Sequence, residues 1–394
     1  MATKNIKNKK KICVITGSRA EYGLLKNLII LLKNSKELDS KLLVTGSHLE
    51  RRYGLTEKEI ISDGIKIDLR AKIHGALDED LSMKVSTAIK VLSKSLNKLK
   101  PDFVVLLGDR YEIFAAASAA FLLRIPIIHI HGGETTFGSM DESFRHAITK
   151  LSYLHFAATK DYKRRLEQLG ENPKRVFNVG GLGVDYIKNI SLLKKHVLEE
   201  NLGIRFNKKN ILITIHPDTT EEGAAKKLTV NLLKVLSSLK DTNLFFSESN
   251  ADPGGVVITD LIKRFINQDN KTRLLFNSLG IKKYLSLVQQ MDIVVGNSSS
   301  GILEVPSLKI PTLNIGDRQN GRLKSSSVID CKSDFLSIEK KITMLLNKKS
   351  SMNINYKDNP YGRGGASKRI LSIIEKLEIP KNLKKPFFDI KQIK

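Results

Sequence analysis

Two doubly wound α/β domains, each a parallel sheet covered by helices on both faces, are what this 394-residue sequence predicts. Three observations lead there. Short runs of Val, Ile and Leu recur without polar alternation, as strands buried on both faces require. Each run is followed by a longer stretch of helical period, the pattern of parallel strands joined by helical crossovers. The alternation halts after Tyr186, passes through a polar, lysine-rich stretch at 188–210, and then restarts.

In the first half, strands are expected at 12–16, 42–45, 103–107, 127–131, 155–158 and 176–179. Helices are expected at 21–32, 84–99, 110–123 and 141–152 between them. In the second half, strands are expected at 211–215, 244–246, 274–276, 293–295, 312–315 and 328–331, again with helices between. The chain therefore divides into a Rossmann-like domain at 1–187 and a second at 188–365. A final helix and tail, 366–394, are expected to pack back on the first domain. Ligands of such sheets sit beyond the carboxyl ends of the strands, so a cleft between facing sheet ends is the place to expect a site.

Composition narrows the function classes. The apolar fraction of 41% with 6% aromatic is that of a globular chain. Lys and Arg outnumber Asp and Glu by 66 to 41, a net charge of +25, which raises nucleic acid and anionic membranes as partners. The lysines are spread along the chain, however, and no zinc spacing, RNP-like aromatic pair or basic heptad accompanies them. A solvated basic surface that attracts an anionic substrate fits better than nucleic-acid binding. Cys13 and Cys331 stand far apart, which argues against a disulfide framework and for a reducing compartment. The apolar run at 12–16 is too short for a signal-peptide core, and that at 113–123 too short for a membrane span, so a cytoplasmic location without membrane insertion is expected.

The unusual residues lie just after the strands. Gly17-Ser18-Arg19-Ala20-Glu21-Tyr22-Gly23 opens a helix whose N-terminus, with Arg19, favours an anion; no Gly-Lys-Ser/Thr makes it a Walker loop. Gly180-Gly181-Leu182-Gly183 lacks the third glycine and the later acid of a dinucleotide fingerprint, so no nicotinamide site is expected. Asp109 in Gly108-Asp109-Arg110-Tyr111-Glu112 ends a buried strand, where an acid needs either a task or a partner, and Arg110 beside it offers one. His129-Ile130-His131-Gly132-Gly133-Glu134 ends the next strand; zinc is not favoured there because metal-ligand helical spacing is absent. Asp141–His146 starts a helix with Glu142, Arg145 and His146 on one face, a pattern that a capped helix with a surface ion pair would share.

In the second half His216-Pro217-Asp218-Thr219-Thr220 ends a strand, with Asp218 or a threonine able to cap a helix. Glu248, Asn250 and Asp252 follow the next strand. Gly296-Asn297-Ser298-Ser299-Ser300-Gly301 precedes a helix carrying Glu304, and its hydroxyls and backbone N–H groups suit a diphosphate. Gly316–Arg322 brings Arg318 and Arg322 to a strand end.

Taken jointly and in order, these motifs, with Val44-Thr45-Gly46-Ser47-His48, resemble those of the UDP-N-acetylglucosamine 2-epimerases over roughly residues 10–345. Asp109-Arg110 and Arg145-His146-Ala147-Ile148-Thr149-Lys150 look like the hydrolysing branch of bacterial sialic and legionaminic acid pathways. The resemblance implies a glycosyltransferase-B architecture, a homodimer, and no cofactor or metal. It also implies a reaction in which UDP is eliminated with the proton on sugar carbon 2, and the resulting glycal is hydrated with inversion. The first-choice substrate is UDP-N-acetylglucosamine, giving N-acetylmannosamine. UDP-2,4-diacetamido-2,4,6-trideoxyglucose is the alternative donor, and a sugar transferase of the same architecture is the alternative class.

By the same resemblance Asp109, Glu134 and Glu142 are the acid and base candidates, supported by His48, His131 and His146. Arg19, Arg145, His216, Asn250, Asp252, Asn297, Ser298, Ser299, Ser300 and Gly301 would bind substrate or its UDP part, and Glu304 the ribose hydroxyls. Arg318 and Arg322 would hold the loop or touch phosphate. Many family members carry a glutamate where His131 stands, so which carboxylate takes the proton stays open.

Overall fold

The computed structural model describes residues 9–73, 80–136, 140–217, 223–248, 255–276, 279–347, 355 and 358–390. The chain forms two compact units: 1–134, 140–186 and 364–394 in the first, 135–139 and 187–363 in the second.

The first unit is a seven-stranded parallel sheet. Its strands are β1 (Lys10–Thr16), β2 (Leu38–Thr45), β3 (Leu69–Ala71), β4 (Phe103–Leu107), β5 (Ile127–Ile130), β6 (Leu154–Ala157) and β7 (Val176–Asn178), in the order β3-β2-β1-β4-β5-β6-β7. The order reverses between β1 and β4, which makes that gap the topological switch point. The central strands are buried throughout, for example all five residues of β4, which is why they read as unbroken apolar runs. The sequence did not flag β3, three residues with a charged arginine at their centre, because so short a segment carries no periodicity.

Helices cover both faces. On one lies α1 (Arg19–Asn34), whose N-cap Ser18 accepts from the Glu21 amide at 3.4 Å. On the other α3 (Leu81–Leu99), α4 (Tyr111–Leu122) and α5 (Met140–Leu151) pack side by side, with Phe114 stacked on Phe144 at 4.9 Å. α4 is alanine-rich because it is wedged between its neighbours, with Ala115–Ala117, Ala119 and Ala120 fully enclosed. α6 (Lys160–Gln168) and α7 (Leu182–Asn189) complete the first half, after an initial short α2 (Glu57–Ser62).

The second unit repeats the plan after α8 (Lys195–Leu202). Strands β8 (Lys209–Thr214), β9 (Thr242–Ser247), β10 (Arg273–Phe276), β11 (Ile293–Gly296), β12 (Thr312–Ile315) and β13 (Val328–Cys331) form a parallel sheet in the order β10-β9-β8-β11-β12-β13. Its helices are α9 (Ala224–Ser237), α10 (Gly255–Ile266), α11 (Gly280–Gln289), the short α12 (Ser300–Leu303) and α13 (Phe335–Asn347). The switch point lies between β8 and β11.

The last helix, α14 (Ala366–Lys376), belongs to the first unit and packs on α1. Ala366, Ile370 and Ile374 join the apolar core of Leu25, Leu28 and Ile29. Both of its ends are pinned. The Asp185 carboxylate accepts from the amides of Gly365 (2.5 Å) and Ser367 (2.9 Å) at the positive end. The Lys10 ammonium donates to the carbonyls of Ile374 (2.8 Å), Glu375 (2.7 Å) and Leu377 at the negative end. Ile370→Ala should therefore lower the unfolding free energy of the first unit by about 3 kcal/mol, read by urea denaturation; a change below about 0.5 kcal/mol would mean that α14 contributes little to that core.

Candidate active site

In the first unit the polar residues gather beyond the carboxyl ends of β1, β4 and β5 and at the start of α5. The centre of the cluster is Arg145, only 2% exposed. Its guanidinium forms an ion pair with Asp109, donates to the carbonyl of Glu134 at 2.8 Å, and lies 3.5 Å from the Glu142 carboxylate. Burial alone would lower the pKa of this guanidinium; Asp109, Glu134 and Glu142 outweigh it and raise the pKa. Arg145, expected to bind substrate, is thus enclosed by protein acceptors, and its charge holds two partly exposed carboxylates in place. Arg110, the sequence neighbour offered as partner for Asp109, turns instead to Glu112 at 3.0 Å.

Glu142 also meets His146 at 3.4 Å, so Glu142, Arg145 and His146 share one helix face as their spacing requires. One strand away, His131 sits at φ 65°, a left-handed conformation that costs a non-glycine residue about 1 kcal/mol or more and is typical of functional loops. Its Nε2 accepts from the Leu182 amide (3.4 Å), which leaves Nδ1 as the protonated nitrogen, 3.3 Å from Glu134. The Gly180–Gly183 loop, excluded as a dinucleotide site, therefore serves this histidine.

Two further histidines are internal supports. His129 donates from Nε2 to the carbonyl of Gly108 (2.9 Å), next to Asp109, and accepts at Nδ1 from the Thr149 hydroxyl (3.2 Å). Burial pushes it down to about 3, so it is neutral. His48, fully buried between the hydroxyls of Thr16 (3.2 Å) and Thr56 (2.8 Å), is held down to about 4 by the same cause. It thereby links the end of β1 to the start of α2.

Two buried acids with no role assigned above lie against the loop after β1. Glu21 accepts from the Gly17 amide at 2.7 Å, and Glu112 lies under the same glycine. The approach is so close that a Cβ on Gly46, at φ 58°, would stand 2.4 Å from the Gly17 carbonyl. Burial first, and the nearby Glu112 second, push Glu21 up to about 8. The Ser18-x-x-Glu21 capping spacing was the available signal, although it points to helix initiation rather than to a buried acid. Arg19 follows at the head of α1, paired with Glu59 at 2.9 Å.

In the second unit the loops after β8 and β11, the strands at the switch point, are tied together by one side chain. Asn297 accepts from the His216 amide (2.8 Å) and donates to the His216 carbonyl (2.9 Å). Gly296 is obligatory here, since a Cβ would fall 1.9 Å from the Thr214 carbonyl. Gln319 donates to the Asn297 carbonyl (2.9 Å), and Arg318 to the carbonyls of Pro217 (3.2 Å) and Asn297 (3.3 Å), so Arg318 fastens the loop. Arg322 follows in the same turn, its amide donating to the Gln319 carbonyl.

Ser298, Ser299 and Ser300 lead into α12. The Ser300 hydroxyl meets that of Tyr284 at 2.7 Å, a partner without a sequence signal. Glu304 closes α12 with its pKa raised by burial, against the Ser300 hydrogen bond. Gly301 packs on Thr312, whose hydroxyl donates to its carbonyl at 2.8 Å. Asn250, Asp252 and the cap candidates Asp218, Thr219 and Thr220 lie outside the described residues.

Polar groups gather beyond the strand ends at both switch points, where doubly wound α/β proteins bind their ligands. The sequence model of the UDP-N-acetylglucosamine 2-epimerase family matches residues 31–375, and the chain belongs to that family. A Campylobacter jejuni protein named GDP/UDP-N,N'-diacetylbacillosamine 2-epimerase (hydrolyzing) is 43% identical over 82% of this chain and 84% of its own length. Polysialic acid biosynthesis protein P7 of Escherichia coli is 38% identical over 97% and 98%. The fold matches that of a Neisseria meningitidis UDP-GlcNAc 2-epimerase solved with UDP-GlcNAc, at 24% identity, with a TM-score of 0.78 over 93% of this chain and 100% of that one.

Two measurements follow. Because the folded pKa of Glu21 lies above its unfolded value of 4.5, its stabilisation is complete below pH 4.5 and lost as pH rises through about 8. Glu21→Gln should flatten the pH dependence of unfolding between pH 5 and 8 by on the order of 3 kcal/mol; an unaltered profile would place the ordinary carboxylate there. Asn297→Ala removes both ties to His216 and should lower the unfolding free energy of the second unit by about 2 kcal/mol in urea denaturation.

Proposed function

We propose that the protein is a hydrolysing 2-epimerase of a UDP-linked 2-acetamido sugar. The observation that carries the reading is Arg145, buried and holding Asp109 and Glu142 at the strand ends, in a chain of this family. Elimination needs a base for the proton on sugar carbon 2 and charge stabilisation for the departing diphosphate. The C2–H bond and the bond from C1 to the diphosphate oxygen break, and a C1–C2 double bond forms. Water then supplies hydroxyl to C1 and a proton to C2 on the inverting face, which releases UDP and a free sugar. No electrons change hands, so no redox cofactor is needed.

In this reading Asp109, Glu134 and Glu142 share the acid and base roles. Arg145 keeps Asp109 and Glu142 oriented, and His131 and His146 act through Glu134 and Glu142. The second unit takes the UDP part: His216 and Ser298–Ser300 at the diphosphate, Glu304 at the ribose, with Asn297, Arg318 and Arg322 keeping the loops in register. The two buried, unpaired cysteines suit the reducing cytoplasm, and a homodimer follows from the family resemblance.

For the donor, the 43% identity to a diacetylbacillosamine enzyme favours UDP-2,4-diacetamido-2,4,6-trideoxyglucose over the sequence reading's first choice. UDP-N-acetylglucosamine, yielding N-acetylmannosamine, is the second reading, supported by the 38% relative named for polysialic acid biosynthesis.

Turnover in D2O tests the mechanism. One UDP should be released per sugar, without any acceptor, and NMR should find deuterium at carbon 2 of an inverted product. Retained protium there would exclude elimination. Running the UDP- and GDP-linked forms of both sugars identifies the donor. Asp109→Asn and Glu142→Gln should each lower kcat by about 100-fold or more while UDP affinity stays within a few-fold.

A further inference from the structure

The segment after α14 is held by contacts that its distance from the strand ends does not require. Lys385, 14% exposed, donates to the carbonyls of Thr149 (3.2 Å) and Ser152 (2.8 Å), the open end of α5, and to the Glu171 carboxylate (2.9 Å). Glu171 also accepts from Lys150 of α5 (2.9 Å) and binds His155 of β6 at 2.9 Å. Two residues on, the Phe387 ring lies where a Cβ on Gly170 would be, 2.3 Å away, with the Lys150 ammonium 5.0 Å above it. The Phe388 amide donates to the Gly170 carbonyl at 2.9 Å. Cation, ring and backbone thus clip one extended strap to the end of α5 and to the turn after α6.

α5 is the helix whose first turns carry Glu142, Arg145 and His146. Glu142, Arg145 and Thr149 fall at i, i+3 and i+7, on one face. Thr149 passes the placement on, because its hydroxyl orients His129, which holds the Gly108 carbonyl beside Asp109. A shift of the end of α5 would move both carboxylates of the Arg145 cluster together. Burial draws the Lys385 amine down to about 8, with Glu171 opposing, so it remains a cation at neutral pH and complements the negative helix end.

We infer that residues 379–390 form an intramolecular clamp and that Lys385 is a positioning residue for the reaction, setting Asp109, Glu142 and Arg145 by fixing the far end of α5. The inference rests on reading those three as the reacting centre.

The test is Lys385→Met, beside Lys385→Arg, which keeps charge and donors, and a chain lacking residues 379–394. Expected for Lys385→Met is a kcat lowered about 10-fold with KM within twofold, since displacement by a fraction of an ångström costs rate rather than binding. Hydrogen exchange should speed up over residues 141–151, and Lys385→Arg should restore both. The shortened chain should behave like Lys385→Met; if it does not fold, the point variants carry the test. Wild-type kcat in Lys385→Met, or a loss that only tracks the folded fraction, overturns the clamp. A wild-type enzyme silent on every donor overturns the proposed reaction instead, and unchanged exchange over 141–151 would then still refute the clamp.

Discussion

A single buried guanidinium organises the first unit's site. Arg145 has almost no access to water, and an arginine there is tolerated only if its donors are met and its charge balanced. Asp109, Glu142 and the Glu134 carbonyl do both. The same contacts tie three segments together, the ends of β4 and β5 and the first turns of α5. The carboxylates are consequently positioned by a group that need not take part in proton transfer.

Neutral side chains form the next layer. His129 and Thr149 link α5 to the carbonyl beside Asp109, and burial keeps the imidazole uncharged so that it can donate to one side and accept from the other. In the second unit Asn297 does the equivalent work with an amide, reading both the N–H and the C=O of His216 and locking the loops at the switch point. Neither device adds net charge at the strand ends it braces. Glu21 follows the same rule: beside the anion-favouring loop, its buried carboxyl binds its proton more tightly than a free one does.

Much of this was legible beforehand. The thirteen strands in two parallel sheets follow from apolar runs read at strand length, with only β3 missed, because three residues are too few to show a period. Glu142, Arg145 and His146 were placed on one face by helical spacing alone, and their contacts follow from it. The pairing of Asp109 was not legible. The adjacent Arg110 was the local candidate, yet it points to Glu112, and the true partner stands 36 residues further along. Tyr284 beside Ser300 and Glu112 beneath Gly17 escaped for the same reason.

From the sequence by itself came the α/β alternation, the polar loops at the strand ends and the family, since periodicity, capping and motif spacing act within a few residues along the chain. The tertiary structure alone decided which charge neutralises which, which histidines are neutral props, and that the last residues fasten α5. Those outcomes depend on burial and on partners far apart in sequence, 236 residues for Lys385 and Thr149. Proximity of that kind exists only once the sheets have formed.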